Sequence, residues 1–167
     1  MPGFQGPSYI AVIGPDADAS PENLADSREV GRRIALAGRI LLTGGLGGVM
    51  AAASEGAHDE GGLTVGLLPG STRQEGNHFL TVALPTGLGE LRNGLIVRCA
   101  DAVICVGGSW GTLSEIGFAV RTGVPVVALD GGWSLPAGLH LAPSPAAAVD
   151  LALALAEASL VQAAGLP

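Results

Sequence analysis

The stretch AVICVGGSWGTLSE, residues 102–115, begins with an apolar run, continues through a glycine-rich turn and ends in a segment of helical period. A short run that is apolar throughout is typical of a strand buried on both faces of a sheet. Glycines between a strand and a helix predict a tight turn at the carboxyl end of that strand. The stretch therefore predicts a strand–turn–helix unit of the kind from which parallel sheets are built.

The same alternation extends along the chain in both directions. Apolar runs predict strands at residues 9–14, 39–45, 63–69, 79–85, 102–108 and 125–129. The first helix is predicted to be capped by Ser20 and stopped by Gly38, and further helices are predicted at 49–58, 88–99, 112–121 and 145–158. Residues 70–77 and 131–143 have no regular pattern. We expect a single domain, residues 1–167, with a doubly wound, mostly parallel α/β sheet of about six or seven strands and helices on both faces, a Rossmann-like fold.

Composition excludes several functions. The eight basic residues are all arginine, and without lysine the chain holds neither a pyridoxal-phosphate Schiff base nor a Walker A loop. A net charge of −7 without a basic stripe argues against a nucleic-acid partner. No apolar run approaches the ~18 residues of a membrane span, and no signal peptide is evident. We therefore expect a cytoplasmic protein, and the scattered histidines and two cysteines predict no metal site.

Glycines accumulate where the first, second and fifth predicted strands end. Because ligands of doubly wound sheets bind outside the carboxyl ends of the strands, we expect a ligand to approach the backbone there. The candidate positions are Gly14, Gly44, Gly45, Gly47, Gly48, Gly107, Gly108 and Gly111. The second cluster does not fit the dinucleotide pattern G-x-G-x-x-G, since Met50 takes the place of its last glycine, and we do not expect a full NAD site.

The turn at residues 107–112 is the candidate anion site. Unsatisfied N–H groups and the positive end of a helix dipole favour a phosphate at such a turn. The hydroxyls of Ser109 and Thr112 are further possible donors. The alternative is a turn that needs glycine only for tight packing. Trp110 either covers a base or plugs the turn, and the sequence does not separate these two roles.

Two charged residues are the candidates for chemistry. Glu115 lies three residues after Thr112, a spacing typical of a capping box, but its helix begins at the ligand edge, where a carboxylate could act at a reacting carbon. Arg92, followed by Asn93, opens the helix before the fifth strand, and a cation there opposes the helix dipole, which hints at function. Arg73 lies in a loop that could close over a ligand; a solvated side chain is the alternative for both arginines.

These motifs together resemble the LOG-like Rossmann family, often labelled lysine decarboxylase-like. RNGLIVRCADAVICVGGSWGTLSE, residues 92–115, is similar to the family's P-G-G-x-G-T-x-x-E motif with its upstream arginine. GGLGGVM, residues 44–50, and TVGLLP, residues 64–69, resemble two further family segments. The resemblance covers roughly residues 9–129, and it implies that Arg92 and Glu115 correspond to the family's catalytic pair.

The resemblance implies two functions from different classes. Characterised members hydrolyse the N-glycosidic bond of nucleoside 5′-monophosphates, giving a free base and ribose 5-phosphate without a cofactor. However, Val106 and Asn93 replace the family's proline and lysine, and Pro15 stands where a serine is usual. These departures resemble a short branch that includes molybdenum cofactor carrier-like proteins, which bind a phosphorylated pterin.

We therefore expect a phosphoribohydrolase, with a non-catalytic carrier or sensor of a phosphorylated nucleotide or pterin as the alternative. A nucleotide-binding scaffold with an incidental ligand is the third possibility. The resemblance, together with the positive mean hydropathy and few charges, also implies a homodimer or homotetramer.

Overall fold

Strands and helices alternate along the part of the chain that the computed structural model describes, residues 6–129 and 138–163, with side chains to 160. The strands are β1 (Tyr9–Ile13), β2 (Ile40–Thr43), β3 (Thr64–Leu68), β4 (Val82–Pro85), β5 (Ala102–Cys105), β6 (Val126–Leu129) and β7 (His140–Ala142). The helices are α1 (Pro21–Leu36), α2 (Gly48–Asp59), α3 (Arg92–Cys99), α4 (Trp110–Thr122) and α5 (Pro145–Ala163). Two short 3-10 turns lie at Arg73–Glu75 and Gly89–Leu91.

The strands form one sheet in the order β4-β3-β2-β1-β5-β6-β7, and every neighbouring pair is parallel. The doubly wound parallel fold is therefore confirmed. The strand order reverses between β1 and β5, which pair from Ile10 and Ala102 to Ile13 and Cys105. A crevice forms at such a switch point, outside the carboxyl ends of the strands, and this positions the site described below.

Alternating side chains of the central strands enter two separate cores. Ile10 and Val12 of β1 pack in the core beneath α1, α2 and α5, whereas Ala11 and Ile13 pack in the core beneath α3 and α4. All four side chains are buried. Because both faces are covered by helices, the central strands read as continuous apolar runs, and this is the reason that they could be found in the sequence.

The predicted cap at Ser20 and stop at Gly38 are confirmed, whereas α3 begins at Arg92 rather than at residue 88 and α4 at Trp110 rather than at residue 112. The Ser20 hydroxyl accepts a hydrogen bond from the Asn23 N–H at 3.1 Å, and the Asn23 side chain accepts one from the Ser20 N–H at 3.3 Å. Gly38 and Gly123, at φ +68° and +76°, take the left-handed conformation that terminates α1 and α4.

The main error of the sequence prediction lies in residues 131–143, which were expected to be irregular. Residues 138–142 lie in the described part, and β7 pairs there with β6, His140 opposite Val127. This edge strand is three residues long, and both His140 and Leu141 are exposed, so it presents no apolar run. The sequence favours buried thiols for both cysteines. This is confirmed for Cys105 and wrong for Cys99, which is exposed. None of the described helices is long and apolar enough to cross a membrane.

The two helix layers differ in how much of the sheet they cover. In the part of the chain that the structure describes, three helices cover one face of the seven-stranded sheet, whereas α3 and α4 alone cover the other face. Large apolar side chains of the smaller layer remain in solvent: Leu91 is 76% exposed and Trp110 is 86% exposed, and Leu95 and Phe118 are also exposed.

The contact between α1 and α2 generates a test of the fold. A Cβ at Gly31 would collide with the carbonyl oxygen of Ala53, so Gly31→Ala forces the two backbones apart. We expect a loss of about 1–3 kcal/mol in the free energy of unfolding, measured by denaturant titration. Gly117→Ala is the matched control, since nothing lies within 4 Å of a Cβ there in the interior of α4, and alanine should stabilise the helix by about 0.4–1 kcal/mol. Equal effects of the two substitutions would contradict this account.

Candidate functional site

A cleft of about 350 Å³ opens at the carboxyl ends of β1, β2 and β5. Its volume lies near the lower end of the range of ligand pockets, about 300–1,000 Å³. The structure brings eight of the candidate residues together in its lining: Gly14, Gly44, Arg92, Asn93, Ser109, Gly111, Thr112 and Glu115. Residues that are far apart in sequence therefore meet at the sheet edge that the glycine clusters indicated.

The turn after β5 ends in the N-terminus of α4. Ser109 is the N-cap, and its hydroxyl accepts a hydrogen bond from the Thr112 N–H at 3.3 Å and lies 3.0 Å from the Thr112 hydroxyl. The N–H groups of Trp110 and Gly111 precede the first helical hydrogen bond, which Leu113 donates to Ser109 at 2.9 Å. These two donors and the helix dipole make this end of the cleft suitable for an anion.

The Arg92 guanidinium is buried in the cleft wall. Arg92 is the first residue of α3 and is only 7% exposed, and its Nε has no hydrogen-bond partner. Its guanidinium packs against Gly44, where a Cβ would collide with it, so glycine is required at the end of β2. Burial lowers the pKa of Arg92, whereas the nearby carboxylates of Glu115 and Asp16 raise it. Arginine nevertheless stays protonated in proteins.

Arg92 is therefore a buried cation without a close counter-ion. Among the side chains that the structure describes, no carboxylate forms an ion pair with it. A buried charge that lacks a partner costs several kcal/mol on an order-of-magnitude scale. An anionic ligand in the cleft would supply the missing counter-charge.

Glu115 does not form the capping box that its spacing suggested. Because Ser109 caps α4 and the helix begins at Trp110, Glu115 is the sixth helical residue and lies one turn inside the helix. It is 7% exposed, and its carboxyl group lines the cleft. Burial raises the pKa of Glu115 to about 8, against the opposing effect of Arg92. At pH 7 this carboxyl group is mostly neutral, which makes it a hydrogen-bond donor rather than a ready base.

The other candidate residues lie outside the cleft lining: Gly45, Gly47, Gly48, Gly107, Gly108, Trp110 and Arg73. Arg73 is exposed in a 3-10 turn. Trp110 is 86% exposed, so it does not plug the turn. Gly107 takes φ +66° and abuts the Asn23 side chain, which accounts for its glycine by packing.

The cleft also contains residues that the sequence analysis missed, namely Asp16, Leu46, Met50, Pro69 and Glu90. Asp16 follows β1 by three residues, and the chosen glycines likewise follow their strands by one to six residues. Applying the strand-end rule to every polar residue, rather than to glycine alone, would have found it. No group of three or more His, Cys, Asp or Glu side chains in the described residues could hold a metal ion.

The family is shown by comparison with known proteins. The sequence model of the SLOG cluster4 family matches residues 7–158. The chain belongs to this family. The resemblance to LOG-like proteins drawn from the motifs is thereby confirmed, and the matched range contains every residue of the cleft.

Solved structures with the same architecture are also similar to this chain in sequence. The molybdenum cofactor binding protein of Rippkaea orientalis is 36% identical, with a TM-score of 0.87 over 92% of this chain and 99% of its own. The molybdenum cofactor carrier protein of Chlamydomonas reinhardtii is 32% identical, with a TM-score of 0.78 over 90% of this chain and 98% of its own. An uncharacterized protein of Archaeoglobus fulgidus is 42% identical over 72% of this SLOG cluster4 chain and 78% of its own.

Burial of Glu115 predicts a stability effect that does not depend on any ligand. The pKa of about 8 in the folded state exceeds the usual glutamate value of 4.5, so the folded state binds the proton more tightly and stability is lost as pH rises through this window. Glu115→Gln removes the ionisation and should stabilise the protein at pH 8 by on the order of 2 kcal/mol or more, but not below pH 4.5. Melting temperatures of both proteins between pH 4 and pH 9 measure this. A difference that is constant with pH would show that Glu115 ionises freely in the folded state.

Proposed function

We propose that this protein is a carrier that binds a phosphorylated pterin of the molybdenum cofactor type without cleaving it. The observation that supports it most is the likeness to the Rippkaea orientalis molybdenum cofactor binding protein, 36% identical across 99% of that chain. The proposal takes the alternative from the sequence analysis over the hydrolase, because the solved relatives named above are described as binding or carrying the molybdenum cofactor.

The cleft supplies what a phosphorylated ligand requires. The phosphate would lie at the N-terminus of α4, where the N–H groups of Trp110 and Gly111 and the hydroxyls of Ser109 and Thr112 converge. Arg92 would form charge-assisted hydrogen bonds with the same group. The neutral carboxyl group of Glu115 would donate one more hydrogen bond and would not repel the bound anion.

Hydrolysis of a nucleoside 5′-monophosphate is the second candidate, and one observation favours it. A carboxyl group with a pKa of about 8 beside a buried arginine has the properties of a general acid that protonates a leaving base. Asn93, which replaces the lysine of the hydrolases, instead donates a hydrogen bond to Ser114 across α3 and α4 at 3.3 Å. The same residues therefore serve either function, and only turnover separates them.

The binding proposal predicts the effect of removing the buried cation. We expect the wild type to bind neopterin monophosphate, and Arg92→Ala to weaken the affinity at least 10-fold, since one charge-assisted hydrogen bond contributes about 1.5–3 kcal/mol. Arg98→Ala, in an exposed position of the same helix, is the matched control and should change nothing. Pterin fluorescence titration measures all three dissociation constants. Release of free base from AMP, GMP, CMP or N6-prenyl AMP, abolished by Glu115→Gln, would instead establish the hydrolase.

We also propose that two copies pair through the face formed by α3 and α4. Leu91, Leu95, Trp110 and Phe118 together expose on the order of 500 Å² of apolar surface, near the upper end for the largest patch on a monomer. A stable interface buries roughly 800 Å² per subunit, so this patch supplies most of the core of one. A second copy of the chain is the favoured occupant of this patch. In an isologous pair, the exposed apolar face of α3 and α4 is covered on both subunits at once.

Pairing through this face predicts a change of mass on mutation. Phe118→Glu places a charge in the middle of the apolar patch, and we expect it to convert the oligomer to a monomer in size-exclusion chromatography with light scattering. Leu36→Glu is the control, since Leu36 is 60% exposed on α1, in the opposite layer, and should leave the mass unchanged. A monomeric wild type, or loss of the oligomer with Leu36→Glu alone, would refute this interface.

A further inference from the structure

The cleft has an acidic side as well as a cationic one. Asp16 lines the cleft beside the carboxyl end of β1 and also lines the neighbouring groove between α1 and α2, so it stands at the rim where the two meet. Its carboxylate forms no hydrogen bond or ion pair among the side chains described, those of residues 6–129 and 138–160, and the residue is exposed. An acceptor without a partner therefore faces the space next to the candidate anion site.

The position of Asp16 is fixed by the backbone around it. The carbonyl oxygen of Pro15 accepts a hydrogen bond from the Val49 N–H at 3.0 Å, and the carbonyl oxygen of Asp16 accepts one from the Ala19 N–H at 3.2 Å. A Cβ at Gly47 would lie 2.5 Å from Asp16 Oδ1. Gly48, at φ +54°, leaves room for the backbone of Asp16. These two glycines therefore make space for the carboxylate and the backbone of Asp16 rather than for a ligand.

The charges at the two sides of the cleft favour different chemical groups in two parts of a bound ligand. A phosphate at the N-terminus of α4 is attracted by Arg92 and repelled by Asp16. The part of the ligand that faces Asp16 must instead offer N–H donors, because an ionised carboxylate only accepts hydrogen bonds. A 2-amino-4-oxopyrimidine ring, as in pterin or guanine, presents a ring N–H and an amino group side by side, and a carboxylate can accept from both.

We propose that Asp16 is a specificity-determining residue that accepts hydrogen bonds from the 2-amino-4-oxopyrimidine edge of the ligand. This inference rests on the proposed binding of a phosphorylated pterin and adds which edge of the heterocycle is recognised. It also extends the ligand class to guanine nucleotides, and it disfavours adenine nucleotides, whose pairing edge alternates a donor and an acceptor. Asp16 acts in binding only, and it takes no part in a covalent step.

Asp16→Asn tests the inference, because it removes the charge and one acceptor at nearly constant volume. Dissociation constants for neopterin monophosphate, GMP, AMP and ribose 5-phosphate are measured for the wild type and the variant. We expect Asp16→Asn to bind neopterin monophosphate and GMP about 10-fold more weakly than the wild type, and to prefer these two ligands over AMP less strongly. We expect no loss for ribose 5-phosphate, which has no 2-amino-4-oxopyrimidine ring. Asp18→Asn, exposed and outside the cleft lining, is the matched control, and melting temperatures verify that each variant is folded.

The outcomes separate this inference from the function on which it rests. If the wild type binds neopterin monophosphate and Asp16→Asn binds it equally well, the inference is wrong and the carrier function stands. The inference is also wrong if Glu90→Gln, at another acidic residue of the cleft lining, causes the loss instead. An equal loss for ribose 5-phosphate would assign Asp16 to the general shape of the cleft. If the wild type binds no phosphorylated pterin, the proposed function fails and the inference fails with it.

Discussion

The packing of the Arg92 guanidinium against the backbone of Gly44 is the contact on which the arrangement of the cleft depends. It connects the first turn of α3 to the end of β2, and it buries a cation whose Nε has no partner. An isolated buried charge is unfavourable for folding. An unfavourable buried cation at the crevice of a doubly wound sheet therefore indicates a functional role. The N-terminus of α4 beside it is also positive. Together they form a positive end of the cleft that an anion would neutralise.

Burial, acting against this positive end, sets the protonation state of the acid next to it. The pKa of Glu115 rises to about 8 because burial has a larger effect than the nearby arginine. Were Glu115 fully ionised and paired with Arg92, the counter-charge would be present within the chain and an incoming anion would have to compete with it. A neutral Glu115 leaves Arg92 available. The same neutral acid could protonate a leaving base, so the proposed carrier function and the alternative hydrolase function depend on the same residue.

Most of the fold and part of the site could be predicted from the sequence. Strands buried on both faces are recognisable as continuous apolar runs, because successive side chains enter the core on one face or the other. The reversal of strand order between β1 and β5 then locates the crevice. β7 could not be predicted from the sequence, because an exposed edge strand of three residues has no such apolar pattern. Glu115 and Arg92 were found by motif, but the helix start was misjudged, because the Ser109 hydroxyl satisfies the Thr112 N–H and moves the cap toward the N-terminus. Asp16 is not evident from the sequence, because glycines at strand ends predict contact with a ligand, whereas in the structure Gly47 and Gly48 make room for Asp16 itself.

The most direct test of the central claim is a crystal structure of the wild-type protein with neopterin monophosphate. The account predicts the phosphate within hydrogen-bond distance of the Gly111 N–H and of the Arg92 guanidinium. The bond between the pterin ring and its phosphorylated side chain should be intact. A phosphate bound elsewhere, with Arg92 instead paired to Glu115, would contradict the claim that the buried cation is kept for the ligand.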